Sequence, residues 1–329
     1  MDVDINISNI DGEEGDLLRD NFKRPCARFN GYVMFEELKT YVDSLVKMNV
    51  RDDDIWVCSY PKTGTTWTQE MVYLVANDAD LTKAQKPLND RYVFLDKCFL
   101  IPQKMASHIE SDINRIKKLF SSGELTEADQ GPRFIHTHVP YELLPQKLRD
   151  GSTKAKIIYV VRNPRDTSIS AFHHQLMVGR YNGSLKNYGE LFMKGLVNYG
   201  PFWKHTLAYW NKRNDKNLLF LKYEDMKKDL PSVIRKTATF LKKTLTDEQI
   251  GPLCEHLSFE SMKNNPYINE KPLIKILKSK FNPEGSGEFF RKGKSDQWKN
   301  DFDAELIDRF DQWEHENLKH LNLTSYKDL

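Results

Sequence analysis

Short apolar runs, each followed by a segment with helical periodicity, recur along the 329-residue chain. "DIWVCSY" (54–60) has the continuous hydrophobicity of a strand buried on both faces, and "TTWTQEMVYLVAN" behind it places Trp67, Met71, Leu74 and Val75 on one helical face. "KIIYVVR" (156–162) repeats the pattern, with "DTSISAFHHQLM" as its helix. "RFIHTHV" (133–139) and "NLLFLKYED" (217–225) predict two further strands, the latter leading into "LPSVIRKTATFL", where Pro231 suits a first helical turn. Four such units predict an α/β fold with a central parallel sheet flanked by helices. No repeat, low-complexity stretch or Gly/Ser linker interrupts them, so one domain over 1–329 is expected.

Three regions stand apart from this alternation. Residues 1–30 precede it as an N-terminal extension. "SHIESDINRIKKLF" (107–120), within a polar segment from about 101 to 133, spaces Ile109, Ile113, Ile116 and Phe120 as an amphipathic helix. It reads either as a helix packed on the core or as a lid over a pocket. "NPEGSGEFFRKGKSDQWKN" (282–300) reads as a long loop, and long loops in compact domains are often functional.

Composition narrows the classes. Charged residues make up 29% and hydrophobic ones 39%, an ordinary globular balance, and a net charge of +2 argues against a general nucleic-acid binder. The acidic start lacks the form of a signal peptide, and no apolar run reaches the roughly 18 residues of a spanning helix, so no membrane anchor is expected. Cys26, Cys58, Cys98 and Cys254 have no metal-site spacing and read as reduced thiols of a cytoplasmic protein.

The candidate chemistry sits where strands turn into helices. "SYPKTGTTW" (59–67) resembles a phosphate loop without the second Gly or the Gly-Lys-Ser/Thr ending of a nucleoside triphosphate loop. At a strand-to-helix junction its backbone N–H groups and helix N-terminus would face an anion, with Lys62 as full charge and Thr65 and Thr66 as hydroxyl donors. In "VVRNPRDTSIS", Arg162 closes a strand and Ser170 lies about two helical turns on, so both can reach one phosphate. "RKG" (291–293) is a third basic element. Three separated basic elements imply a ligand with phosphates at more than one position.

These fragments, taken in order, resemble the cytosolic sulfotransferases, which use 3'-phosphoadenosine-5'-phosphosulfate (PAPS) as sulfuryl donor and release PAP. "YPKTGTTW" matches the family's Y-P-K-S/T-G-T-T-W loop, "RNPRDTSIS" its R-N-P-x-D element with the following Ser, and "RKGKSDQWKN" its late R-K-G-x-x-x-x-W-K-N element. "YGPFWKHTLAYWNKR", "YEDMKKD" and "SFESMKNNP" extend the likeness over about residues 30 to 302. The resemblance implies a P-loop-kinase-like sulfotransferase fold. It implies that Lys62, Thr63, Gly64, Thr65 and Thr66 bind the 5' end, Arg162, Ser170, Arg291, Lys292 and Gly293 the 3'-phosphate, and Trp67, Tyr223 and Phe259 the adenine. His138, at the His of the family's K-T-H-x-P signature, would be the general base, Lys62 would assist the leaving group, and no metal would take part.

On a strand, His136 and His138 face the same side. Their H-x-H spacing also permits a zinc site, with His173 and His174 as conceivable further ligands. A structural role for these histidines is the plainer alternative. With His174, the pair would contact a small-molecule acceptor. His136 stands where the family carries Lys, which predicts a charge that titrates near pH 6.5 beside the transferred group. Leu257 replaces a Thr of the adenine site. "KNDFDAELID" (299–308) has lost most of the family's dimer motif, which puts the usual homodimer in doubt. The enlarged 101–133 segment is similar to that of the insect retinol dehydratase branch and points to a large apolar acceptor under a helical lid, with sulfate either retained or eliminated. A P-loop kinase and a non-catalytic carrier of a small apolar molecule are the competing classes.

Overall fold

In the computed structural model of the chain, residues 5–101, 107, 110–122, 131–268, 274–276, 278–279, 282 and 288–329 are described. The chain opens with a small antiparallel sheet, β1 (Ile7–Asn9), β2 (Cys26–Phe29) and β3 (Tyr32–Phe35), in the order β1-β2-β3. The second sheet has five strands, β4 (Ile55–Ser59), β5 (Val93–Phe94), β6 (Phe134–Thr137), β7 (Lys156–Val161) and β8 (Leu218–Lys222), ordered β5-β6-β4-β7-β8. Every pairing in it is parallel.

The four strands expected from their apolar runs are thus all present. The small sheet and β5 were not predicted, because their residues lack either a continuous apolar run or enough length to show a period.

The long strands are hydrophobic throughout because both faces of the sheet are covered. Along β4, Trp56 and Cys58 enter one apolar cluster while Ile55 and Val57 enter the other. β7 divides likewise, with Tyr159 and Val161 on one side and Ile158 and Val160 on the other. The covering helices include α1 (Thr65–Ala76), α2 (Glu110–Ser122), α3 (Pro164–Met177), α4 (Tyr223–Lys228), α5 (Leu230–Phe240), α6 (Phe259–Asn264), α7 (Trp298–Asp301) and α8 (Ala304–Leu318).

β4 is flanked by β6 on one side and β7 on the other, so connections leave in opposite directions around its C-terminal end. That is the switch point where open α/β sheets bind ligands, and the Lys62 loop occupies it.

Within the 101–133 segment, α2 is docked. Ile116 and Leu119 are buried in the main core, and Ile113 packs on Ile101, Met177 and Val178. Lys97 reaches Asp112 at 2.8 Å. Ile109 and much of the connecting chain lie outside the described residues, as do residues 283–287 of the late loop.

Asp303 caps α8 by accepting the Leu306 N–H at 2.8 Å, and Leu306 is buried. The altered dimer motif therefore has intramolecular work in this chain.

Candidate active site

A cavity of about 540 Å³ opens at the C-terminal ends of β4, β6 and β7. The loop after β4 shapes one end of it. Lys62 and Gly64 both adopt positive φ, +71° and +102°. A Cβ on Gly64 would stand 2.6 Å from the Tyr223 ring, so only glycine allows this close approach. Lys62, Gly64, Thr65, Thr66 and Trp67 line the cavity. Thr63 does not: its hydroxyl turns inward and donates to the carbonyls of Tyr60 and Val160 at 2.8 and 3.0 Å. That side chain braces the loop, and only its backbone remains to meet a ligand.

Arg162 and Ser170 enter the same cavity from β7 and α3, and Arg291, Lys292 and Gly293 from the late loop. The "NPRD" residues explain how these parts are held in register. Asn163 caps α3 by accepting the Arg165 N–H at 2.9 Å. The Asp166 carboxylate accepts the N–H groups of Asp296 and Gln297 at 2.8 and 2.9 Å, tying the late loop to α3. Gly293, at φ +58°, is a second close approach, since a Cβ there would come within 2.2 Å of Phe259.

Between the loops lie three aromatic rings. Trp67 and Tyr223 meet edge to face at 5.4 Å, the Arg162 guanidinium lies 4.6 Å over Tyr223, and Phe259 also lines the wall. Leu257, itself buried, backs the same wall. Phe289 and Phe290 belong to this wall, with Phe289 under the Lys62 ammonium at 4.4 Å. Neither was singled out beforehand, although the aromatic pair stands just before "RKG".

The charge here is one-sided. Burial, together with Arg162 and Arg291, lowers the Lys62 pKa to about 8. Among the described residues neither Lys62 nor Arg291 has an ion-pair partner, and the Trp67 Nε1–H is buried without an acceptor. Two backbone cradles, unpaired cations and an orphaned donor between aromatic rings fit a nucleotide bearing separated anionic groups.

At the end of β6, His136 and His138 project together, their rings 4.8 Å apart and perpendicular. His138 Nδ1 lies 2.9 Å from the Ser59 carbonyl, which can only accept, so Nδ1 carries the proton and Nε2 keeps its lone pair. Ser59 Oγ bridges Nδ1 at 3.2 Å and Thr65 Oγ1 at 2.7 Å, linking the imidazole to the phosphate loop. Behind it the buried Asp96 carboxylate accepts the His138 backbone N–H at 2.9 Å and the Tyr199 hydroxyl at 2.6 Å, along with the Thr137 hydroxyl. Burial pushes the Asp96 carboxyl up to about 6. Nothing in the sequence around Asp96 signals this role.

The ionisation of both histidines departs from the usual, and for His136 this corrects an expectation. His138 does not titrate near the usual histidine value, because burial, His205 and Lys62 hold it at about 3 in the free protein. His136 is not a titrating charge near pH 6.5. It is 8% exposed, stacks on Phe94 at 4.1 Å, and burial with His138 and Lys97 nearby keeps its pKa well below the usual range.

His174 lines the cavity, whereas His173, whose ring meets that of Phe172 at 5.1 Å, does not. Among the described residues no group of three His, Cys, Asp or Glu side chains is placed to hold a metal ion. None of the described helices is long and apolar enough to cross a membrane.

The family profile described as "Sulfotransferase domain" matches residues 52–322, which hold every element just described around the cavity. The chain belongs to the sulfotransferase family. Luciferin sulfotransferase of Photinus pyralis is 39% identical over 317 residues, covering 93% of this chain and 84% of that protein. Human sulfotransferase 1E1 is 34% identical over 297 residues, covering 89% and 93%. Among solved structures, retinol dehydratase in complex with androsterone and the inactive cofactor PAP superposes with a TM-score of 0.87 at 31% identity over the whole of both chains. The same enzyme with retinol and PAP gives 0.85, covering 97% and 98%. This chain is therefore a sulfotransferase with the fold that holds PAP in its structural relatives.

Proposed function

We propose that this sulfotransferase moves the sulfuryl group from PAPS to a hydroxyl of a small, largely apolar acceptor such as a phenol, steroid, terpenoid or retinoid alcohol. The observation that carries the reading is one cavity with Lys62 on its wall and the lone pair of His138 Nε2 left free by the Ser59 contact.

Lys62, the backbone of residues 63–66, Arg162, Ser170, Arg291, Lys292 and Gly293 would hold the phosphates, and Trp67, Tyr223 and Phe259 the adenine. Aromatic stacking on a base contributes roughly 1 to 3 kcal/mol. When bound, the donor supplies an electrophilic sulfuryl group and a phosphate leaving group.

His138 Nε2 would take the proton of the acceptor hydroxyl as its oxygen bonds to sulfur. Base catalysis of this kind contributes about 10²- to 10⁴-fold. A pKa of about 3 makes His138 a weak base in the free protein, and anionic groups arriving beside it would raise that value by favouring the protonated ring. Lys62 would place positive charge at the bridging oxygen as it leaves. His136, neutral and stacked on Phe94, would shape the acceptor side by hydrogen bonding and contact rather than charge. His174 would face the acceptor beside it.

α2 supports an apolar acceptor, since its Ile113 backs Ile101 and Val178 on the inner wall. A cytoplasmic setting agrees with four cysteines that are all unpaired thiols.

The test is transfer of labelled sulfuryl from PAPS to a panel of phenols, steroids and retinoid or terpenoid alcohols, scoring sulfated and dehydrated products separately. Turnover by the native protein that disappears in His138→Ala while PAP still binds is the expected result. PAP binding with no turnover on any acceptor would move the protein to the carrier class.

A further inference from the structure

The strand end that presents Arg162 to the cavity is held from behind by a part of the chain that does not line it. Residues 323–329 follow α8 and lie beyond residues 52–322, the stretch that the family profile matches. They are firmly packed. Tyr326 and Leu329 are 3% and 8% exposed, and both enter the main apolar core. The Asp328 carboxylate accepts the N–H groups of Thr324 and Ser325 at 2.7 and 2.9 Å, which closes the segment into a turn.

The polar tip of Tyr326 has a specific partner. Its hydroxyl donates to Glu224 Oε2 at 2.5 Å, while Glu224 Oε1 accepts the Asn163 N–H at 3.0 Å. Each oxygen of one carboxylate is thus fixed by its own donor. Burial pushes the Glu224 carboxyl up, and the Tyr326 and Asn163 hydrogen bonds oppose that shift by favouring the ionised form.

Glu224 stands between two residues of the cavity wall. Tyr223, just before it, lines the cavity, lies 4.6 Å under the Arg162 guanidinium and is the ring that a Cβ on Gly64 would strike. Asn163 directly follows Arg162 and caps α3. The carboxylate therefore ties the end of β7 to the start of α4. A second line of contact runs beside the first: Arg165 donates to Asp311 and Glu314 of α8, and Glu314 also accepts the Tyr326 N–H.

From this we infer that Tyr326 is a positioning residue of the nucleotide site, whose hydroxyl fixes the Glu224 carboxylate and so sets where Arg162 and Tyr223 stand against the donor. The inference rests on the proposed reading of those two residues as donor contacts. Packing alone would need only the ring, which the core already surrounds.

The test is a double-mutant cycle on the full chain, with Tyr326→Phe, Glu224→Gln and both together, read as the Kd of PAP by calorimetry. Tyr326→Phe keeps the ring and should weaken PAP by about 3- to 10-fold, at or below the low end for a hydrogen bond to a charged group because it acts through Glu224. The double variant should bind no more weakly than Glu224→Gln alone, since residues of one network are not additive. The KM for PAPS should rise in Tyr326→Phe while kcat at saturating PAPS stays within about twofold, a split that general damage to the fold would not give.

Unchanged PAP affinity in Tyr326→Phe, with Arg162→Met weakening it, would overturn the inference and leave the site reading in place. Additive losses in the double variant would overturn it too. Unchanged PAP affinity in Arg162→Met, or a native protein that binds no PAP, would overturn the site reading together with the inference. If urea unfolding shows that Glu224→Gln does not fold, Tyr326→Phe set against Arg162→Met decides alone.

Discussion

The two ends of the cavity are built on different plans. The end proposed for the nucleotide consists of contiguous loops, with Gly64 and Gly293 each facing an aromatic ring that a Cβ would strike. The inner end is assembled from single side chains on separate elements, Asp96, His138 and His174, each positioned by distant packing. A backbone site needs particular residues in an unbroken run. A side-chain site needs only that the fold bring a few groups together. The first plan fixes one cofactor, and the second lets acceptor choice change by point substitution.

Removing the proposed base has the largest expected effect. His138→Ala should lower kcat by about 10²- to 10⁴-fold while calorimetry shows PAP affinity little changed, because the histidine stands on the acceptor side. Lys62 touches both ends, so Lys62→Met should reduce kcat by about 10²- to 10³-fold and weaken PAP as well. Its pKa of about 8 fixes the sign of the pH effect: the protonated form binds anions, so PAP affinity of the native protein should fall as pH rises past about 8. In Lys62→Met that dependence should be absent.

Asp96→Asn sharpens the acceptor side. It keeps the volume but weakens the hydrogen bonds that orient the His138 backbone and Tyr199, and kcat should fall by about tenfold, the cost of roughly one hydrogen bond to a charged group. Unchanged PAP affinity in the same variant would separate positioning from general damage. Gly293→Ala acts on the other side. Its left-handed backbone and the Phe259 contact predict a stability loss on the order of 1 to 3 kcal/mol in urea unfolding, with weaker PAP binding.

The remaining effect is global. His138 and His205 have pKa values lowered to about 3 and 4, and His136 and His174 are lowered as well. Unfolded histidines take up protons near pH 6.5 while these stay neutral, so stability should decline as pH falls below about 6.5. Asp96, raised to about 6, works in the opposite direction between about pH 6 and 4, and Asp96→Asn should steepen the decline. Urea midpoints measured from pH 7 to pH 4.5 check both signs.

The contrast in plan also sets how much was legible in the sequence. The four long strands announced themselves through hydrophobicity on both faces, and the nucleotide end was spelled out in three motifs whose residues the structure gathers around one cavity. That the Thr63 side chain turns inward was not legible, because a sequence motif does not say whether a side chain or its backbone does the work. His136 and His138 were correctly placed as neighbours by the two-residue strand repeat, but their ionisation depends on burial, which no local pattern records. Tyr326 was missed because it is an ordinary aromatic residue until the fold brings the segment after α8 against Glu224.

The central claim is that donor binding and proton removal are separable functions of one cavity. Single-turnover transfer of labelled sulfuryl, run beside calorimetric titration of PAP in the native protein, His138→Ala and Lys62→Met, tests it most directly. His138→Ala should lose transfer and keep PAP, whereas Lys62→Met should lose both in part. Transfer that survives in His138→Ala, or PAP binding that disappears with it, would contradict it.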